Sequence, residues 1–170
     1  MSGPVDEFIY ISHPDPVWRP EPAFLAMVEL APFEIDGQRE QLWFRRDEAG
    51  EYELCCVPFV APGLALGDRV ELDENWFVRG VRSKSGRHVL RLLFTEPRPP
   101  VGLPDARPAV VEAVRANGLL AEWNRDRFVA IDIPPGTDPM VVFDQVRAEI
   151  DAGSVLWEWS DLEPFRAPGD

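Results

Sequence analysis

The chain has 170 residues, 45% of them hydrophobic, and a formal net charge of −13 from 30 acidic and 17 basic side chains. That length sets one continuous core as the default, or two small halves sharing an interface, and no apolar run approaches the ~20 residues needed to cross a bilayer. So acidic a chain repels a phosphate backbone, which removes the main electrostatic term of nucleic-acid binding and leaves a basic protein as the favoured charged partner.

Residues 1–22 carry Pro4, Pro14, Pro16, Pro20 and Pro22 among polar side chains. This composition predicts an extended arm without a core of its own, with Phe8-Ile9-Tyr10-Ile11 able to dock on the body or on a partner. The first residues show no basic stretch leading into an apolar one, so a cytoplasmic protein is expected. Lys84 is the only lysine against many arginines, a usage that suggests a GC-rich bacterial genome.

Residues 23–86 read as short strands at Phe24–Leu30, Gln41–Arg45, Tyr52–Val57, Arg69–Leu72 and Trp76–Val81. They are punctuated by turn signals at Asp36-Gly37, Ala49-Gly50, Pro62-Gly63, Asp73-Glu74-Asn75 and Ser85-Gly86. Short strands with tight connections predict a small, strongly curved antiparallel sheet or half-barrel, since a flat sheet would leave long exposed edges.

Residues 87–162 change rhythm. A strand over residues 87–94 leads to Asp105, placed to cap a helix over roughly residues 107–117, with Val110, Val111 and Val114 on its buried face and Gly118 ending it. Leu119–Trp123 and Arg127–Ile133 form a hairpin around Asn124-Arg125-Asp126. Thr137 or Asp138 then caps a helix, Gly153 stops it, and Val155–Trp159 is the last strand. The order β-α-β-β-α-β is that of the ferredoxin-like split motif. The expected fold is therefore α+β, a curved antiparallel half-barrel followed by a ferredoxin-like unit in one domain. The strand at 87–94 is shared between the two, and residues 163–170 form a tail.

Three runs, Gln41-Leu42-Trp43, the stretch from Val57-Pro58-Phe59 through Gly67-Asp68-Arg69-Val70, and Ser85-Gly86-Arg87-His88-Val89-Leu90-Arg91, resemble a bacterial family known as domain of unknown function 4265. The likeness covers roughly Ala23 to Asp161. It implies bacterial origin and a shared fold, and it supplies no mechanism and no catalytic residue.

The candidate chemistry is sparse. Cys55 or Cys56 would be a nucleophile only if a neighbour such as His88 lowered its pKa; a Leu-Cys-Cys-Val run in a strand more simply places small hydrophobes in a core. Adjacent cysteines disfavour a mutual disulfide and lack the C-x2-C spacing of a zinc site, so no metal and no cofactor is expected. Asp68, Asp73 and Glu74 read as a solvated acidic face without the pattern of a calcium loop. Trp76, Arg82, Ser85, Arg91, Trp123, Trp157 and Trp159 are assigned to the junction of the halves, with Trp157 and Trp159 on one face of their strand. The leading functional reading is a non-enzymatic protein-binding or regulatory module, with a basic partner or a second copy of the chain as occupant. A small-ligand sensor using the inter-half cleft and an enzyme with a Cys/His or carboxylate site are the alternatives.

Overall fold

Alternation writes the first sheet. In the computed structural model, which describes residues 7–169, Ala26 and Val28 are buried on β2 (Phe24–Glu29), and Glu40, Leu42 and Phe44 are buried on β3 (Gln38–Arg46). Two-residue periodicity puts each set on one face of a pleated strand. One carboxylate, Glu40, thereby takes a core-facing place beside Leu42 and Phe44.

β3 pairs with β2 along its length, with β1 (Ile9–Ile11) in parallel at one end, and with β4 (Tyr52–Leu54) at the other. β5 (Arg69–Leu72) and β6 (Val78–Ser83) continue the antiparallel sheet. The sheet curls until Met27 N–H donates to the Trp76 carbonyl at 2.9 Å and Met27 bridges Phe77. One bridge in place of a ladder leaves a half-open barrel. Its core holds Val28, Leu42, Phe44, Leu54, Leu64 and Val70, capped by Phe165 from the C-terminal residues.

The second sheet runs β10 (Val155–Trp159), β7 (His88–Phe94), β9 (Phe128–Ile133), β8 (Leu120–Asn124), antiparallel throughout. Helices α1 (Arg107–Ala116) and α2 (Met140–Asp151) cover one face, packing Val110, Val142 and Val146 onto Leu90, Leu92, Val129 and Ile131. The ferredoxin-like order expected from the sequence is the order observed.

Three local expectations are corrected. Among the described residues β7 pairs with β9 and β10 alone, so strand 87–94 is not shared between sheets; the halves meet through side chains, with Val57, Phe59 and Ala65 packed on Val89 and Ala130. The strand expected through Val57 ends at Leu54: Cys55 N–H makes the last backbone bond to β3, to Trp43 O at 2.8 Å, and the following N–H groups of Val57 and Phe59 turn to side-chain carboxylates instead of a neighbouring strand. On α1 the buried residues are Val110 and Ala113, while Val111 faces solvent, because α1 touches the sheet along a narrower stripe than its three valines span.

Candidate functional site

Between β4 and β5 the chain runs as a buried strap, residues 55–68, with no regular secondary structure. Irregular backbone in a core must find hydrogen-bond partners outside a ladder or leave costly unpaired groups. Charged side chains from both halves supply them. The Glu40 carboxylate accepts from the backbone N–H groups of Phe59 at 2.5 Å, Val60 at 3.0 Å and Ala61 at 2.6 Å. Glu122 accepts from Val57 N–H at 2.5 Å. Arg91 donates to the carbonyls of Pro58, Val60 and Ala61 at 3.2, 2.9 and 2.6 Å.

Sheet register explains how these groups arrive together. Ala130 faces Arg91 on one side and Glu122 on the other, and Glu158 lies opposite Arg91. The row Glu158, Arg91, Ala130, Glu122 therefore crosses the second sheet on the face turned from the helices. Arg91 also donates to Glu158 at 3.0 Å. Burial pulls the Arg91 guanidinium below its ordinary value, a tendency that the carboxylates of Glu40, Glu158 and Asp161 oppose.

The N-terminal arm completes the network. His13 is 1% exposed and its ring stacks on Phe59 at 4.3 Å. Nδ1 lies 2.8 Å from Glu122 Oε1 and Nε2 lies 2.9 Å from Glu40 Oε1. Burial alone would lower the imidazole pKa, but hydrogen bonds and charge from Glu122 and Glu40 outweigh it and raise the group to about 9. Glu40 is held below the usual carboxylate range against its own burial, by His13 first and then by Arg91 and the Ala61 N–H. The imidazolium thus bridges a carboxylate from each half. Cys56 Sγ sits beside this bridge, and donor atoms of His13, Cys56 and Glu122 lie within 4.8 Å of one another.

A second polar cluster holds the far end of the strap. Asp68 accepts from Ala65 N–H and Ser85 N–H at 2.9 and 2.8 Å and from Lys84 Nζ at 2.5 Å. Ser85 Oγ donates to Leu66 O at 2.7 Å. His88 Nδ1 lies 3.1 Å from Asp161 Oδ2. Gly63 has φ +73, and a Cβ there would fall 2.3 Å from Phe165 N and 2.4 Å from Glu163 O, so only glycine fits beneath the returning C-terminal residues.

Two cavities flank the strap where the halves meet. One, of about 720 Å³, is lined by Ile9–Ser12, Phe59, Trp123, Arg125, Arg127 and Phe128. The other, of about 570 Å³, is lined by Phe33, Glu34, Ile35, Phe59, Phe128, Arg91 and Glu158. Phe59 and Phe128 belong to both, with their rings edge to face at 5.9 Å.

The residues assigned to the junction from sequence are dispersed. Arg91 is at its centre. Trp123 reaches the larger cavity from β8, yet it stacks on Phe94 and packs with Trp159 against the helix-covered core. Trp157 meets Phe143 of α2 at 5.0 Å. The strand alternation that keeps Trp157 and Trp159 together also puts them on the face opposite Arg91 and Glu158. Trp76 stacks on Phe24 across the first half, Arg82 pairs with Glu51, and Ser85 serves the strap. Asp68 is fully buried and ion-paired with Lys84, so it cannot share a solvated acidic face with Asp73 and Glu74.

The cysteines do not meet His88, which contacts Asp161 and Trp159 instead. Burial pushes the Cys55 thiol up to about 11 and raises Cys56 well above its ordinary value. Neither has the environment of a thiolate nucleophile. From sequence, His13 and His88 are too few for a histidine-rich metal centre, though carboxylates could complete one, and His13 is set aside as an arm residue; Glu40 and Glu122 are passed over. Glu40 did carry a signal, since it shares the inward phase of β3 with Leu42 and Phe44, whereas Glu122 alternates with Ala121 and Trp123, which pack on the helix-covered core, so periodicity alone assigns it to the other face.

Among the described residues no helix is long and apolar enough to cross a membrane. No curated protein matches the chain. A crystal structure of a hypothetical protein from Neisseria gonorrhoeae is similar, at 17% sequence identity over 81% of this chain and 94% of that one, with a TM-score of 0.62. That likeness is one of fold. The sequence profile of the family described as "Domain of unknown function (DUF4265)" matches residues 40–157, a span that contains the strap, Glu40, Arg91 and Glu122. The chain belongs to the DUF4265 family.

Proposed function

We propose that this domain is a non-enzymatic protein-binding module of a bacterial cytoplasm, and that it takes an extended segment of its partner across the junction of its halves. The carrying observation is the pair of cavities flanking Phe59 and Phe128. Together they offer an aromatic centre with Arg125 and Arg127 at one end and Glu34 and Glu158 at the other. A segment with an apolar side chain over Phe128 and opposite charges on either side matches that layout. The setting of Phe59 supports the reading, because its ring is held by the stacked His13 and the edge-to-face Phe128 and its N–H by Glu40, and a binding surface held in place loses little conformational freedom on association.

The net charge of −13 favours a partner that is basic overall. A displayed library of short peptides is the direct test. The reading expects enriched sequences with a central apolar residue between opposite charges, and at least tenfold weaker binding in Arg125→Glu and Phe128→Ala. Enrichment of purely basic peptides that bind both variants normally would overturn the groove and return attention to Asp73 and Glu74.

The larger cavity also suits a small molecule, since its volume falls in the usual range of ligand pockets. A metabolite that stabilises the wild-type protein, but not Trp123→Ala, would favour a sensor.

A further inference from the structure

We propose that His13, Cys56 and Glu122 bind one divalent cation of the zinc class, with Glu40 supporting the imidazole from behind. All three residues are buried, and their donor atoms lie within 4.8 Å of one another. They come from three separate places in the chain, the arm, the strap and β8, so no local spacing announces them. An imidazole, a thiol and a carboxylate form the mixed nitrogen, sulfur and oxygen set that suits zinc and its neighbours, whereas calcium and magnesium favour oxygen ligands alone.

The geometry goes beyond proximity. His13 Nδ1 and Glu122 Oε1 are 2.8 Å apart. Two ligands on bonds of about 2.0 Å at tetrahedral angles stand ~3.3 Å apart, so a small opening admits an ion between them. The other ring nitrogen, Nε2, is already bonded to Glu40 at 2.9 Å. This is the carboxylate–histidine–metal arrangement, in which the second carboxylate fixes the tautomer and strengthens the ligand. Three protein ligands leave a fourth position for water.

Charge balance also agrees. In the metal-free form the imidazolium carries one positive charge between Glu40 and Glu122, and the Cys56 thiol is neutral. A divalent cation displaces the Nδ1 proton of His13 and the thiol proton of Cys56, and both protons leave to solvent. Two positive charges out and two in leave the buried cluster with an unchanged net charge, so the surrounding network of Arg91 and strap amides need not rearrange.

Cobalt(II) is the probe. Chelator-treated wild-type protein should take up one equivalent, developing visible ligand-field bands and a near-ultraviolet sulfur-to-cobalt band, and zinc should displace it. Calorimetry in two buffers should register release of about two protons per ion. Cys56→Ser should lose the sulfur band, Cys55→Ser should keep it, and Glu40→Gln should bind about 10–100-fold more weakly. Absence of one-equivalent uptake by the wild-type protein, or a sulfur band that survives in Cys56→Ser, would overturn the site. If circular dichroism shows Cys56→Ser to be unfolded, Cys55→Ser decides, because Cys56 is then the only thiol: a band supports the site and its absence rejects it.

Discussion

His13 and Glu40 are joined at 2.9 Å inside the protein, and the same carboxylate receives three backbone N–H groups of the strap. An arm residue and a barrel strand are thereby tied to the loop on which the second half rests. The arm is structural at this point, however extended its composition looks.

Replacing His13 with Ala removes the cation between two buried carboxylates. Breaking a buried pair on one side typically costs about 3–5 kcal/mol. Urea unfolding of metal-free His13→Ala should show a loss of that order, whereas Asp15→Ala, on the exposed Arg19 pair, should cost less than about 1 kcal/mol.

Gly63→Ala sets a methyl group against Phe165 N and Glu163 O. Both obstructing atoms are backbone, so relief requires displacing the C-terminal residues from the barrel. Overpacking of this kind costs about 1–3 kcal/mol. Limited proteolysis should cut the variant after Asp161 while leaving the wild-type protein intact.

Asp132 supplies a pH test. Burial raises it to about 6 despite the hydrogen-bonded charge of Arg87, and the nearby Asp161 carboxylate adds to the rise. The folded state therefore holds this proton more tightly than the unfolded chain. The contribution favours folding at acid pH and is lost as pH climbs from about 4 to about 6. Asp132→Asn should remove that slope and be the more stable protein at pH 7, by up to about 2–3 kcal/mol. A stability difference between variant and wild type that stays constant from pH 4 to 7 would contradict the assignment.

Both thiols should be inert in the folded, metal-free protein. With burial raising Cys55 to about 11 and Cys56 well above its ordinary value, a chromogenic disulfide at pH 7 should react only as fast as the protein unfolds. Rapid modification of one thiol would revive a cysteine-based reaction.

Periodicity made the fold legible. The two-residue rhythm of β2, β3 and β9 and the placement of Gly118 and Gly153 led to the half-barrel and the ferredoxin-like order. The site was harder to read because it is tertiary. Glu40 sits at an inward position of β3 where apolar residues are the norm, and a strict reading of alternation would have marked it, but Glu122 lies in the phase opposite Ala121 and Trp123 and is buried only because the strap packs on that face. Nothing local marked His13, because its burial depends on β1 pairing with β3. The tryptophans drew attention as large side chains at a presumed interface, yet alternation on β10 sends Trp157 and Trp159 toward the helices. Asp68 looked like part of an exposed acidic run, and only its place at the buried end of the strap, against Lys84 and Ser85, makes it a buried acceptor.

The most direct test of the proposed function is a chemical-shift titration of the isotope-labelled protein with the tightest peptide from the library. The groove account expects the largest shifts at Phe59, Arg125, Phe128 and Glu158, with Asp73 and Glu74 unmoved. Shifts centred on Asp73 and Glu74, with Phe59 and Phe128 unchanged, would contradict it.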